Sequence, residues 1–61
     1  MKKSIKEILI ANGITEAAAA ERIKTARNDF WNHLNKNNME AAYNICEQHF
    51  GLEPDYVFEL F

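Results

Sequence analysis

The sequence predicts an all-α fold: a small three-helix domain with a short fourth helix at the C-terminus, built around a long central helix over residues 15–35. Three observations predict it. The stretch TEAAAAERIKTARNDFWNHLN carries no Gly or Pro and repeats apolar residues at helical spacing. Gly13 and Gly51 each close a helical pattern and are each followed by an apolar residue, as helix C-caps are. No segment alternates apolar and polar residues with period two, so no strand is expected.

Met1 to Lys3 reads as a short basic lead, frayed at the chain end. Ser4 then opens SIKE, a capping box in which the Ser4 hydroxyl reaches forward and Glu7 reaches back. The first helix is expected from Ile5 to about Asn12, with Ile5, Ile8 and Leu9 on one face. Gly13 ends it as a left-handed cap, and the connection to the next helix spans only Gly13 to Thr15.

Thr15 is a good N-cap for the central helix, since its hydroxyl can accept from an orphan backbone N–H of the first turn. Ala17 to Ala20 lower the cost of helix formation, Ala being the best helix former. Winding at ~100° per residue puts Ala19, Ile23, Ala26, Phe30 and Leu34 on one stripe. Trp31 and Arg27 sit on its flank, while Glu21, Thr25, Asn28 and Asn32 face away. At about 1.5 Å per residue this helix is long enough to span a small domain, so the shorter elements must pack against it.

NKNN ends the central helix near Asn35 to Asn37, because Asn is a poor helix former that tolerates turn geometry. Asn37 with Glu40 imitates a capping box, and a third helix is expected over about Asn38 to Phe50 with Met39, Ala42, Tyr43, Cys46 and Phe50 as its stripe. Glu53-Pro54-Asp55 restarts a helix, with Pro at its first position and acid in its first turn. On an α-helical wheel the tail residues Tyr56, Val57, Phe58, Leu60 and Phe61 cover half the circumference or more. Docking is expected to cover Val57, Leu60 and Phe61, leaving Tyr56 or Phe58 at the rim.

Sixty-one residues suffice for one domain, residues 1–61, of modest stability. One cysteine, Cys46, excludes an intrachain disulfide and favours a reducing, cytoplasmic setting. No apolar run approaches the length of a membrane span, and the N-terminus is too polar for a signal peptide. The net charge is −2, unevenly spread. Residues 1–38 hold all seven basic residues and four acidic ones, whereas residues 39–61 hold the other five acids and no Lys or Arg. The asymmetry fits either intramolecular pairing or an acidic face offered to a basic partner.

Four patterns bear on chemistry. KEILIANGITEAAAAERI is similar to the DNA-binding helix-turn-helix in its spacing. Its second helix nevertheless opens with Glu16, four alanines and Glu21, which repel phosphate, and the cations Arg22, Lys24 and Arg27 come after the turns that meet base edges. Cys46-x-x-His49 with His33 falls short of the four ligands a structural zinc site needs, so no metal or cofactor is expected. Cys46 and His49 could pair as thiolate and imidazolium, but no oxyanion hole accompanies them, and no enzyme activity is expected. Asp29 and His33 read as a surface pair along the helix.

The fourth pattern is the aromatic and acidic tail EPDYVFELF together with Arg27 and Trp31, residue types enriched in interface hot spots. The sequence therefore points to a non-enzymatic interaction or regulatory module. Its expected partner-binding residues are Arg27, Trp31, Asp55, Tyr56, Phe58, Glu59 and Phe61. The expected partner is a protein with an apolar groove edged by Lys or Arg; a homo-oligomer is compatible, and neither nucleic acid nor membrane is expected. The alternative is a helix-turn-helix transcription regulator.

Overall fold

The computed structural model describes residues 2–61 and is helical, with no strand among the described residues. Four α-helices run in order: α1 (Ile5–Ala11), α2 (Glu16–Asn35), α3 (Met39–Tyr43) and α4 (Ile45–Phe50). A 3-10 helix over Pro54–Leu60 closes the chain. The molecule measures 34 × 23 × 17 Å, so the 20-residue α2 defines its long axis.

The helix ends follow from their capping residues. Ser4 and Glu7 form the reciprocal capping box on α1, the Ser4 hydroxyl accepting from the Glu7 N–H at 3.2 Å. Gly13, at φ 90°, ends α1 in a Schellman turn: its N–H donates to the Ile10 carbonyl and the Ile14 N–H to the Leu9 carbonyl, at 3.0 and 3.1 Å. Thr15 caps α2 by accepting from the Ala18 N–H at 3.2 Å.

The second turn is built one residue later than the sequence suggests. Asn37 is the left-handed residue, at φ 59°, and it closes α2 with a second Schellman pair. Asn38, not Asn37, then caps α3, accepting from the Ala41 N–H at 3.3 Å. The single third helix expected over residues 38–50 is divided at Asn44. Its φ and ψ of −94° and 9° distort the helix, although the Asn44 N–H still reaches the Glu40 carbonyl and the Asn44 carbonyl still accepts from Gln48. Asn is a poor residue for a helix interior, and the bend lets α3 lie on α2 while α4 meets the C-terminal helix.

The core is one cluster: Ile5 and Leu9 from α1, Ala19, Ala26 and Phe30 from α2, Ala42 from α3, Ile45 and Cys46 from α4, and Val57 and Leu60 from the tail. Ala19 and Ala26 are small enough for neighbouring helices to approach α2 closely. Ile23 and Leu34, at the edges of the α2 stripe, are half-buried against the cluster. Every element contributes, so no helix is an appendage.

Candidate functional site

The C-terminal helix winds with about three residues per turn rather than 3.6, so residues three apart lie above one another. This period sorts the tail into three rows. Val57 and Leu60 face inward and are fully buried. Glu59 turns toward the start of α1 and Tyr56 toward Lys2. Asp55, Phe58 and Phe61 form the outer row, where Phe58 is 66% and Phe61 70% exposed. The expectation that Phe61 would be covered rested on an α-helical wheel, which groups it with Val57. The tighter winding places it with Phe58 instead.

Phe61 lies against α2. Its ring is 5.3 Å from Phe30, 6.3 Å from Trp31 and 5.6 Å from Phe58, centroid to centroid. Phe30 is buried beneath and meets Trp31 edge-on at 5.3 Å. The result is a continuous surface row, Trp31–Phe61–Phe58, laid over a buried ring. Trp31 is itself 44% exposed. Phe30 was expected only as a core residue; its part as the floor of this row comes from the way the tail crosses α2.

The charged groups of the candidate set are arranged asymmetrically. Lys2 forms a direct ion pair with Asp55, lies 3.8 Å from a Glu53 oxygen, and sets its ammonium 4.2 Å from the centre of the Tyr56 ring. The hydrogen bond to the Asp55 carboxylate holds the Lys2 ammonium above its usual pKa. Glu59 accepts from the Ile5 N–H at 3.0 Å, which satisfies one of the orphan donors at the start of α1. Asp55, Tyr56 and Glu59 thus also tie the tail to the N-terminal segment. Lys2, expected to be frayed, is anchored because three tail residues converge on it. On α2, Arg27 is exposed one turn before Trp31. Neither Arg27 nor Lys24 forms an ion pair among the described residues.

The other groups weighed in the sequence have different surroundings. His49 Nε2 lies 2.8 Å from Asp29 Oδ2, linking α4 to α2, so Asp29 serves His49 rather than its helix neighbour His33. Cys46 is fully buried, and burial, with Glu59 and Asp55 adding to it, pushes its thiol from an ordinary 9.0 to about 11. A thiol so held stays protonated and poorly nucleophilic at neutral pH. No three His, Cys, Asp or Glu side chains converge to hold a metal among the described residues.

At the start of α2, Glu16 and Glu21 are both exposed, and Glu16 holds Lys6 at 3.1 Å. No helix among the described residues is long and apolar enough to cross a membrane. A groove of about 530 Å³ along α3 and α4 is lined by Asn38, Glu40, Ala41, Asn44, Glu47 and Gln48. Comparison with protein families, curated proteins and solved structures finds no match to this chain.

Proposed function

We propose that this protein is a non-enzymatic interaction module of regulatory type, acting on another protein through the surface formed by Trp31, Phe61 and Phe58. The observation that carries the reading is the continuity of the three exposed rings. Trp31 and Phe61 rest on the buried Phe30 ring and Phe58 extends the row from Phe61, and together the three expose roughly 350 Å² of aromatic surface. Contiguous apolar patches of several hundred Å² are often functional, and aromatic residues with Arg are the usual anchors of interfaces.

The charges beside the row describe the partner. The tail side carries Glu53, Asp55 and Glu59, with Lys2 set against the first two, so Lys or Arg at that edge of a partner would be favoured. The α2 side carries the unpaired Arg27 and Lys24, which favour a carboxylate. The suitable partner surface is apolar at its centre, basic at one edge and acidic at the other.

The test is affinity capture from a native extract with the intact chain and with Phe58→Ser, analysing both protein and nucleic acid. Because Phe58 is mostly exposed, the variant keeps its helicity and melting temperature. A protein retained by the intact chain and lost by the variant supports the reading; equal retention by both, or retention of nucleic acid alone, contradicts it.

A further inference from the structure

We infer that the partner of this aromatic row is an acidic polypeptide segment, one that interleaves carboxylates with apolar side chains. This rests on the interaction reading above and deepens it by naming which of the partner's charges holds it. Helix geometry sets two cations beside Trp31. Arg27 precedes it by four residues and Lys24 by seven, so at ~100° per residue both lie within about 40° of it around α2. Ala17, Ala20 and Asn35, the other residues of that strip, are neutral. Trp31 is in turn 6.3 Å from Phe61, which continues to Phe58. Trp31 therefore joins a cationic strip of α2 to the aromatic row.

The charges around this surface differ in what they already touch. Asp55 is paired with Lys2, Glu53 lies 3.8 Å from the same ammonium, and Glu59 accepts from the Ile5 N–H. Lys24 and Arg27 are exposed and have no acidic partner among the described residues. The charge left uncompensated beside the rings is positive. A segment lying along the surface sets its apolar side chains on the rings and its carboxylates on Arg27 and Lys24. The planar fork of Arg suits a carboxylate, and the flexible stem of Lys lets its ammonium follow one. Lys or Arg at the far end of the segment, against the tail, adds to the fit and is not what holds it.

The net charge of −2 does not oppose this. At physiological ionic strength charges are screened over about 8 Å, so a docked carboxylate responds to the groups it touches. The competing occupant is a single strand of nucleic acid, which stacks bases on aromatic rings and places phosphates on cations. Its phosphates repeat at every base, whereas the strip supplies two cations. A base stacked on Phe58 would also bring phosphate toward Asp55, which shares its row. A peptide can keep its acids at α2 and leave apolar residues at the tail.

The experiment follows the fluorescence of Trp31, the only tryptophan, as synthetic ligands are added to the full chain at physiological ionic strength. One peptide interleaves Asp and Glu with Leu and Phe. A second has Lys in place of every acid, and oligothymidylate stands for nucleic acid. The acidic peptide should bind at least about tenfold more tightly than either. Lys24→Glu combined with Arg27→Glu, both at exposed positions, should reverse the order of the two peptides, with helicity unchanged by circular dichroism. Equal or tighter binding of the basic peptide or of oligothymidylate overturns the inference. So does an acidic peptide that fails to bind up to about 1 mM, or a charge reversal that leaves the order as it was.

Should the double variant unfold, Arg27→Gln decides instead. It should weaken the acidic peptide at least about threefold and leave the basic one unchanged, and undiminished binding overturns the inference. Phe58→Ser separates this inference from the reading it rests on. A basic peptide that binds best and is lost on Phe58→Ser overturns the acidic partner and leaves the row as an interaction surface. An acidic peptide lost on charge reversal but held in full by Phe58→Ser overturns both.

Discussion

Leu60→Ala and Phe61→Ala, adjacent substitutions, should have very different costs. An α-helical tail would bury both side chains; the 3-10 winding buries Leu60 completely and leaves Phe61 70% exposed. Leu60→Ala removes a fully enclosed side chain and leaves a cavity in the core cluster, costing about 2–5 kcal/mol. A domain this small has only ~3–5 kcal/mol in total. At ~4–8 °C per kcal/mol, the melting temperature should fall by at least about 8 °C. Phe61→Ala gives up ring contacts with Phe30, Trp31 and Phe58, each worth at most about 0.5–1.5 kcal/mol and less for a ring so exposed, besides a small buried area. Urea unfolding followed by circular dichroism measures both costs. A Phe61→Ala cost equal to or above that of Leu60→Ala would refute the three-residue period and the surface derived from it.

Gly13→Val should cost about 1–2 kcal/mol or more. Space is available for a Cβ there, so the loss seen in a thermal melt comes from backbone strain at φ 90°, and an unchanged melt would dismiss it. Phe30→Ala should cost about 3–5 kcal/mol and Asn28→Ala, on the exposed face, under about 0.5 kcal/mol, as read from denaturant midpoints. Cys46 links stability to alkali: its folded pKa is raised, so the unfolded chain ionises first. That stabilising difference is whole below pH 9 and declines as pH rises from 9 to about 11, with thiol labelling at pH 8 proceeding only at the rate of opening. Duplex DNA at physiological salt should show no binding by anisotropy, because Glu16 and Glu21 stand exposed at the start of α2. Micromolar binding that steep salt dependence weakens and Arg22→Ala abolishes would reverse that expectation.

Local signals carried most of the fold. Ser4, Gly13, Thr15 and Gly51 act on their own neighbours in sequence, and the structure has each at the helix end its chemistry suits. The α2 stripe was equally legible, since twenty residues sample the helical period many times over. Less legible were features decided by alternatives of nearly equal cost. Asn37 and Asn38 can each serve as cap or as left-handed residue, and only the meeting of α2 with α3 assigns the roles. Asn44 weakens its helix locally, but packing of α4 on the tail decides that the helix bends there.

The tail was the hardest to read. Over seven residues, periods of 3.0 and 3.6 diverge by about one position, which is enough to exchange Phe61 between inside and outside. The candidate residues were therefore found as types before they could be placed. Trp31, Phe58 and Phe61 come together as one surface, while Asp55, Tyr56 and Glu59 also hold the N-terminal segment. No pattern in the sequence marks Lys2 as the partner of Asp55 and Tyr56, or the Ile5 N–H as that of Glu59, because these contacts join opposite ends of the chain.

The central claim is that the row of Trp31, Phe61 and Phe58 is the surface through which the protein associates. It is tested most directly by recording amide and indole NMR shifts of the intact chain as the protein it captures is added. The account predicts movement at the Trp31 indole and at the amides of Phe58 and Phe61, with Met39 and Tyr43, the exposed apolar residues of α3, unmoved. Shifts confined to Met39 and Tyr43, with none at the aromatic row, would contradict it.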